Sequence, residues 1–251
     1  MKLGAQLFSV RTRIQTPEDL RATFAAIREI GYEAVQFSGA PTRQAEAIRD
    51  ASEQYGLPVV CTHVSFDHLA GETAELIREH RTFGCPVIGL GAMPNEYRGS
   101  REGLEAFLAA MRRPVAEILD AGLLFAYHNH NFEFAEAAPG TTYFDLMLEA
   151  CPDWQWIPDS YWIEYAGYSA ADYFRKIGAG RLINVHFKDM AADEKRSICA
   201  CGAGTLNFAA LAEVCRSLGV RNVLVEQDNA VDAPDPFVPM RESFLHLRPM
   251  V

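Results

Sequence analysis

Short, continuously apolar runs alternate along this chain with longer runs in which apolar residues return every three or four positions. The short runs lie near 3–8, 34–37, 58–63, 87–90, 123–128, 155–159, 182–187 and 222–226. Runs that are apolar at successive positions suit strands buried on both faces, as in a parallel sheet. The longer runs, at 17–30, 43–55, 72–83, 101–121, 143–150, 170–177 and 208–218, predict helices. In the first of these, Leu20, Phe24, Ile27 and Ile30 keep one face apolar. Thr16 supplies a capping oxygen, Pro17 a preset φ, and Glu18 and Asp19 negative charge at the positive end of the helix dipole. Gly31, Gly56, Gly84, Gly122 and Gly219 each stand just past a helical run, where a residue able to take positive φ ends the helix. A weak last helix near 240–246 completes the eighth unit. Eight strand–helix units in 251 residues predict one α/β domain, 1–251, folded as a (β/α)8 TIM barrel. A doubly wound open sheet is the alternative, but no GxGxxG follows the first strand.

Polar residues stand at the C-terminal ends of several apolar runs. Asp159 ends WQWIPD, His186 lies in LINVHFKD, Glu226 in NVLVEQD, and His128 and His130 end LLFAYHNH. Carboxylates and imidazoles at strand tops suit a divalent metal in the mouth of a parallel barrel. Each residue alone has a structural alternative: Asp159 a turn or helix cap, His186 a core histidine, Glu226 half of an ion pair. No helical run is expected directly after Asp159, where Tyr161 and Trp162 follow. Lys188 shares the strand parity of His186 and Asp228 that of Glu226, which makes Lys188 a substrate contact and Asp228 an orienting partner. His128, His130 and Glu133 in YHNHNFEF read as site residues beside aromatic neighbours. His63 and Gln6 are expected as substrate contacts, with Gln36 in a similar position. Trp162, Phe37, Phe66 and Phe132 offer apolar faces on which a sugar could stack. Two long connections, 129–142 and 188–207, fall on the catalytic side, and the second contains GAG at 202–204.

Composition removes some function classes. The net charge is −10, from 33 acidic and 23 basic residues with no basic run. This disfavours nucleic acid and anionic membrane surfaces, both of which need clustered Lys and Arg. Six cysteines form no CxxC, and Cys199 and Cys201 lack a second pair for a zinc site, so free thiols in a reducing compartment are expected. The first apolar stretch ends at Arg11, too short for a signal segment or a span, and a cytoplasmic protein is expected.

The ordered set QLFSVR, GYEAVQFSG, YHNHNFEF, PDSYW, HFKD, GAGTLNF and VEQD resembles the sugar phosphate isomerase/epimerase branch of the xylose isomerase-like TIM barrels over nearly the whole chain. The resemblance implies one divalent metal, commonly manganese, held by two acidic residues, an aspartate and a histidine. By position Asp159, His186 and Glu226 match three ligands. The fourth is His128, where many relatives carry Glu, or else Glu133 from the loop, which is otherwise a substrate contact or base. Ala203 stands where relatives often carry an acid. Mixed nitrogen and oxygen ligands also suit Co2+, Zn2+, Fe2+ or Mg2+. A homo-oligomer is compatible with the resemblance.

The expected chemistry is isomerisation or epimerisation of a sugar, keto sugar or polyol through an enediolate, with Glu226 or Glu133 as base. Loss of a β-substituent would instead make the protein a lyase or dehydratase acting on a keto-inositol or 3-keto sugar. Rival readings are a metal-dependent hydrolase, an endonuclease of the same fold, and a sugar-binding barrel without catalysis. No glycine-rich phosphate cradle or basic cluster is present, which favours an unphosphorylated substrate.

Overall fold

The computed structural model describes residues 1–251. Eight strands make its centre: β1 (Lys2–Gln6), β2 (Ala34–Phe37), β3 (Val59–Thr62), β4 (Val87–Leu90), β5 (Leu124–His128), β6 (Gln155–Ile157), β7 (Asn184–Phe187) and β8 (Asn222–Val225). All their pairings are parallel. They form a five-stranded arc in the order β3-β2-β1-β8-β7 and a three-stranded arc in the order β4-β5-β6. The arcs meet at two seams, each with a single parallel bridge: Val64 with Leu90, and Asp159 with His186. At the first seam Gly89 is required by close approach, since a Cβ there would lie 2.1 Å from the Thr62 carbonyl oxygen.

Strand alternation sorts side chains into two layers. On β5, Phe125 and Tyr127 face the helices and join a core of 59 buried residues. Ala126 faces the other way, with Cys61, Val87 and Ile157, in a small inner cluster. His128 shares the parity of Ala126 and lies one step further toward the C-terminal end of the strands. Strand parity thus delivers an imidazole to the inside of the strand ends.

The helices are α1 (Pro17–Ile30), α2 (Ala45–Tyr55), α3 (Phe66–Gly71), α4 (Thr73–Thr82), α5 (Arg101–Asp120), α6 (Tyr143–Ala150), α7 (Ser160–Tyr165), α8 (Ala170–Ile177), α9 (Phe208–Ser217) and α10 (Phe237–Leu247). α1, α6 and α8 match their expected bounds. Three helices depart from expectation: α7, which follows Asp159 directly, α3 and α10. α3 is a short helix, capped by the Ser65 hydroxyl, with too few residues for an apolar period to show. α10 begins three residues before the expected 240, because Pro236 and Pro239 sit in its first turn, where proline is tolerated. The chain after β1 turns into a 3-10 segment at Leu7, which runs to Arg13 with a kink at Val10, so the expected strand end at Phe8 lies in that segment instead. All six cysteines are free thiols. No helix is long and apolar enough to cross a membrane.

The five helix-ending glycines all take positive φ. Gly31 is the most constrained of them, with φ 118° and a Cβ position 2.5 Å from the Phe244 ring of α10. Gly56, with φ 61°, has nothing within 4 Å of that position. Gly31→Ala is therefore expected to cost about 2–3 kcal/mol, from backbone strain plus displacement of the ring, and Gly56→Ala only about 1 kcal/mol. Urea unfolding of both variants beside the parent checks the order; equal losses would refute the packing role assigned to Phe244.

Candidate active site and metal centre

Four strand ends bring His128, Asp159, His186 and Glu226 together, each buried, with one donor atom from each lying within 4.8 Å of the others. Local sequence explains each placement. His128 is the last residue of β5. Glu226 follows β8 directly, and its amide donates to the Phe187 carbonyl, which extends the ladder by one residue. Asp159 follows β6 after Pro158, and its amide donates to Asn129 Oδ1 at 3.1 Å. Contrary to the expectation of no helical run here, Asp159 caps α7, with Oδ1 accepting the Trp162 amide at 3.1 Å. The helix is only six residues long, too short to announce itself by periodicity. The carboxylate serves both purposes: Oδ1 caps the helix and Oδ2 faces the cluster.

Each imidazole is oriented by a partner on its far nitrogen. His128 Nδ1 lies 2.9 Å from the Gly91 carbonyl oxygen. A carbonyl only accepts, so Nδ1 carries the hydrogen and the neutral ring keeps its lone pair on Nε2, 3.4 Å from Asp159 Oδ2. His186 Nε2 lies 2.6 Å from Gln36 Oε1, and Gln36 Nε2 lies 3.5 Å from the Thr62 carbonyl oxygen, which sets the amide with its oxygen toward the ring. His186 Nδ1 is thereby left to the cluster, 2.9 Å from Glu226 Oε2 and 3.7 Å from Asp159 Oδ2.

Lys188 stands in the same group. Its Nζ lies 3.2 Å from Asp159 Oδ2, 3.0 Å from Glu226 Oε2 and 3.0 Å from Asp228 Oδ2. Burial works against its charge, but the three carboxylates outweigh it and hold the ammonium well above the ordinary lysine range. Burial likewise opposes ionisation of Glu226 and Asp159; Lys188 and the nearby imidazoles reverse this and keep both carboxyls below their ordinary range. For His186, burial lowers and the Glu226 and Asp159 carboxylates raise, with a net upward shift. Asp228 moves up, chiefly by burial.

The cluster opens into a cavity of about 250 Å³ lined by Phe8, His63, His130, Lys188 and Asp228 among others. A family model for the xylose isomerase-like TIM barrel matches residues 24–249. The chain belongs to that family. No curated protein matches the chain in sequence. Among solved structures it is similar to a sugar phosphate isomerase/epimerase from Parabacteroides distasonis, at 17% identity and TM-score 0.78, over 98% of this chain and 93% of that one. It is similar to a D-allulose 3-epimerase from Methylomonas sp., at 16% identity and TM-score 0.74, over 100% and 98%. A third similarity is to the probable 3-DHS dehydratase of petrobactin synthesis from Bacillus anthracis, at 15% identity and TM-score 0.74, over 98% and 99%.

Within this xylose isomerase-like frame, the remaining candidate residues fall into two groups. His63, His130, Lys188 and Trp162 surround the cluster. The His63 ring lies 4.8 Å from that of His128 and 5.4 Å from that of His186. Burial lowers the pKa of His63, helped by the neighbouring imidazoles. Trp162 packs against His130 at 5.2 Å and under Lys188 Nζ at 5.3 Å. Burial pushes His130 down to about 3. Gln6 lies one layer back: its Oε1 accepts the Phe8 amide at 3.1 Å and its Nε2 meets His63 Nδ1 at 3.3 Å, so it orients His63.

Glu133 does not join the cluster. Its Oε1 accepts the Tyr127 hydroxyl at 2.6 Å and its Oε2 the His130 amide at 2.9 Å. Tyr127 points to the helix layer, and Glu133 follows it there. Of the two candidates for the strand-five position, the structure places His128 with the other donors. Ala203 in GAG brings no acid to this loop; the carboxylate there is that of Asp189, which accepts the amides of Gly202, Gly204 and Leu206 at 2.8–3.1 Å. A Cβ at Gly204 would lie 2.4 Å from that carboxylate, so the glycine is needed. Gln36, Asn129 and the Gly91 carbonyl escaped the sequence reading in their orienting roles; Asn129, set between two histidines, was the one with a local signal.

Burial raises Glu133 to about 8, against the pull of its two donors. A folded-state pKa above the unfolded one favours the folded state while the group is protonated. That contribution is complete below about 4.5 and disappears as pH rises through about 8. Thermal melts across this window should show the parent losing up to a few kcal/mol and Glu133→Gln a flatter profile. Identical slopes for the two proteins would show that Glu133 does not titrate in this range.

Proposed function

We propose that this protein is a divalent-metal-dependent isomerase or epimerase of a sugar or keto sugar, working through an enediolate in one closed (β/α)8 barrel spanning 1–251. His128, Asp159, His186 and Glu226 would hold the metal. One observation carries this reading. Both imidazoles are oriented from behind, by the Gly91 carbonyl and by Gln36, so that each turns its remaining nitrogen toward two buried carboxylates. In the neutral ring, the His128 Nε2 lone pair faces Asp159 Oδ2, two acceptors across 3.4 Å that gain from a cation between them. Histidines fixed in this way by a far-side partner are the usual arrangement at metal sites. The donor set, two nitrogens and two carboxylate oxygens, fits Mn2+, with Co2+, Zn2+, Fe2+ and Mg2+ as alternatives.

When bound, the metal supplies Lewis acidity, which acidifies the C–H beside a substrate carbonyl and stabilises negative charge on the enediolate oxygens. Glu226 is the base: its carboxylate lines the cavity and is ionised by its neighbours. It takes the proton from the carbon beside the carbonyl. Return of a proton on the opposite face gives an epimer, and return to the neighbouring carbon gives an isomer. Lys188, its three ammonium hydrogens directed at three carboxylates, would turn the one given to the half-buried Asp228 toward a substrate oxygen, and His63 would donate a second hydrogen bond. Trp162 and His130 form the wall against which the sugar packs. Expulsion of a β-substituent from the same enediolate would make the protein a dehydratase, an outcome supported by the likeness to the Bacillus anthracis dehydratase.

Solvent deuterium exchange into keto sugars and inosose, with Mn2+ and with EDTA, tests the reaction. Exchange beside the carbonyl is expected only with metal, and Glu226→Gln should lose about a thousandfold or more in rate while melting like the parent. Near-parental exchange in that variant would remove Glu226 from the mechanism, and the product separates epimerase, isomerase and dehydratase. Independently of activity, Gln36→Leu should weaken Mn2+ binding in calorimetry by about ten- to a hundredfold, through loss of the fixed His186 ring. Unchanged affinity would show that Gln36 does not set the ligand.

A further inference from the structure

A second cavity, about 470 Å³, opens beside the catalytic one and shares His63 with it. The two are also joined along the chain, since Ser38 lines the inner cavity and Gly39 the outer. The outer groove runs between the loop after β2, with Ala40, Pro41 and Arg43, and the segment after β3, with Ser65 and His68. The inner cavity of about 250 Å³ is small for a binding site, whereas the joined space falls within the roughly 300–1,000 Å³ of pockets that enclose larger ligands.

His63 connects the two spaces and has an unused donor. Gln6 Oε1 is taken by the Phe8 amide, so the Gln6 NH2 faces His63 Nδ1, which must accept. The neutral ring then carries its hydrogen on Nε2. That atom is shielded from solvent and has no partner. A buried donor without a partner is costly, and a ligand oxygen would relieve it.

The charges around the outer groove exclude an anionic ligand. Its one guanidinium, Arg43, is bound to the Glu72 carboxylate, with Glu75 and Glu79 close by. The Thr42 hydroxyl donates to Glu79. His68 Nε2 faces Glu72 at 3.4 Å. The cations are matched or outnumbered by carboxylates, and no free positive charge remains for a phosphate.

We propose that the outer groove is a subsite for a second, uncharged sugar ring or comparable polyhydroxyl group, so that the substrate is a glycoside-sized keto sugar whose reacting ring lies over the metal cluster. This rests on the function proposed above. His63 is the residue between the two rings and donates its Nε2 hydrogen to an oxygen near their junction.

The test uses the Mn2+-loaded full chain and three probes: 3-keto-glucose, a 3-keto glucosyl disaccharide and 3-keto-glucose 6-phosphate. Calorimetry is expected to show the disaccharide binding about tenfold or more tightly than the monosaccharide. Pro41→Trp, on the exposed rim, and Ala40→Trp, deeper in, should obstruct the groove. They should erase that advantage and leave monosaccharide affinity within about twofold, while Arg43→Ala changes neither. Equal affinity for the two sugars, or an equal loss of both in the tryptophan variants, overturns the subsite. Tightest binding of the phosphate, lost in Arg43→Ala, overturns its neutral chemistry. Deuterium exchange is read on the same samples. Selective disaccharide binding without any exchange would leave the subsite standing and sink the enzymatic reading.

Discussion

The strand ends of this protein are organised around one buried ammonium. Lys188 Nζ touches three carboxylates, Asp159, Glu226 and Asp228, within 3.2 Å, and its side chain is 1% exposed. None of these charges is tolerable alone in such a place, since a lone buried ion loses several kcal/mol of hydration. Together they compensate one another and hold β6, β7 and β8 in register at their tops. The second seam between the two arcs is made here, by the bridge from Asp159 to His186. The ion cluster and the architecture are therefore one feature: removing the Lys188 ammonium would leave three carboxylates without their shared cation at a point where the sheet has only a single bridge.

The same arrangement accounts for what the sequence made legible. Apolar runs ending in a polar residue identify strand tops, and parity then decides which way that residue points. His186 and Lys188, two apart on one strand, both face the cluster; Tyr127 and His128, adjacent, face opposite layers. This is why Asp159, His186 and Glu226 could be grouped from sequence alone. What could not be read was orientation. Nothing local to Gln36 says that it meets His186 across 150 positions of chain, and nothing in NFEF says that Glu133 turns back to Tyr127. Short helices were equally silent: α3 and α7, six residues each, carry less than two turns of pattern and are set by their caps. The loop at 188–207 was expected to lack an acidic role at Ala203, yet Asp189 gathers its amides, a carboxylate already visible in HFKD but assigned no task.

A histidine at the end of β5 also suits the rest of the site. Asp159 and Glu226 already share Lys188, and a further carboxylate at position 128 would add negative charge within a few ångströms of both. A neutral imidazole instead supplies a donor atom without adding charge. Its Nδ1 is occupied by the Gly91 carbonyl at the end of β4, the strand that also forms the first seam. The side chains that would hold a metal are thus each anchored to a structural joint: His128 through β4, Asp159 through the α7 cap, His186 through β2, Glu226 through the β7 ladder. A group anchored in this way keeps its geometry while substrate enters and leaves, and the loops around it are free to differ in what they recognise. On the function proposed above, that division would leave the chemistry to the strand tips and the substrate's size to the loops after β2 and β3, whose carboxylates and backbone shape a groove that the four-residue cluster does not need.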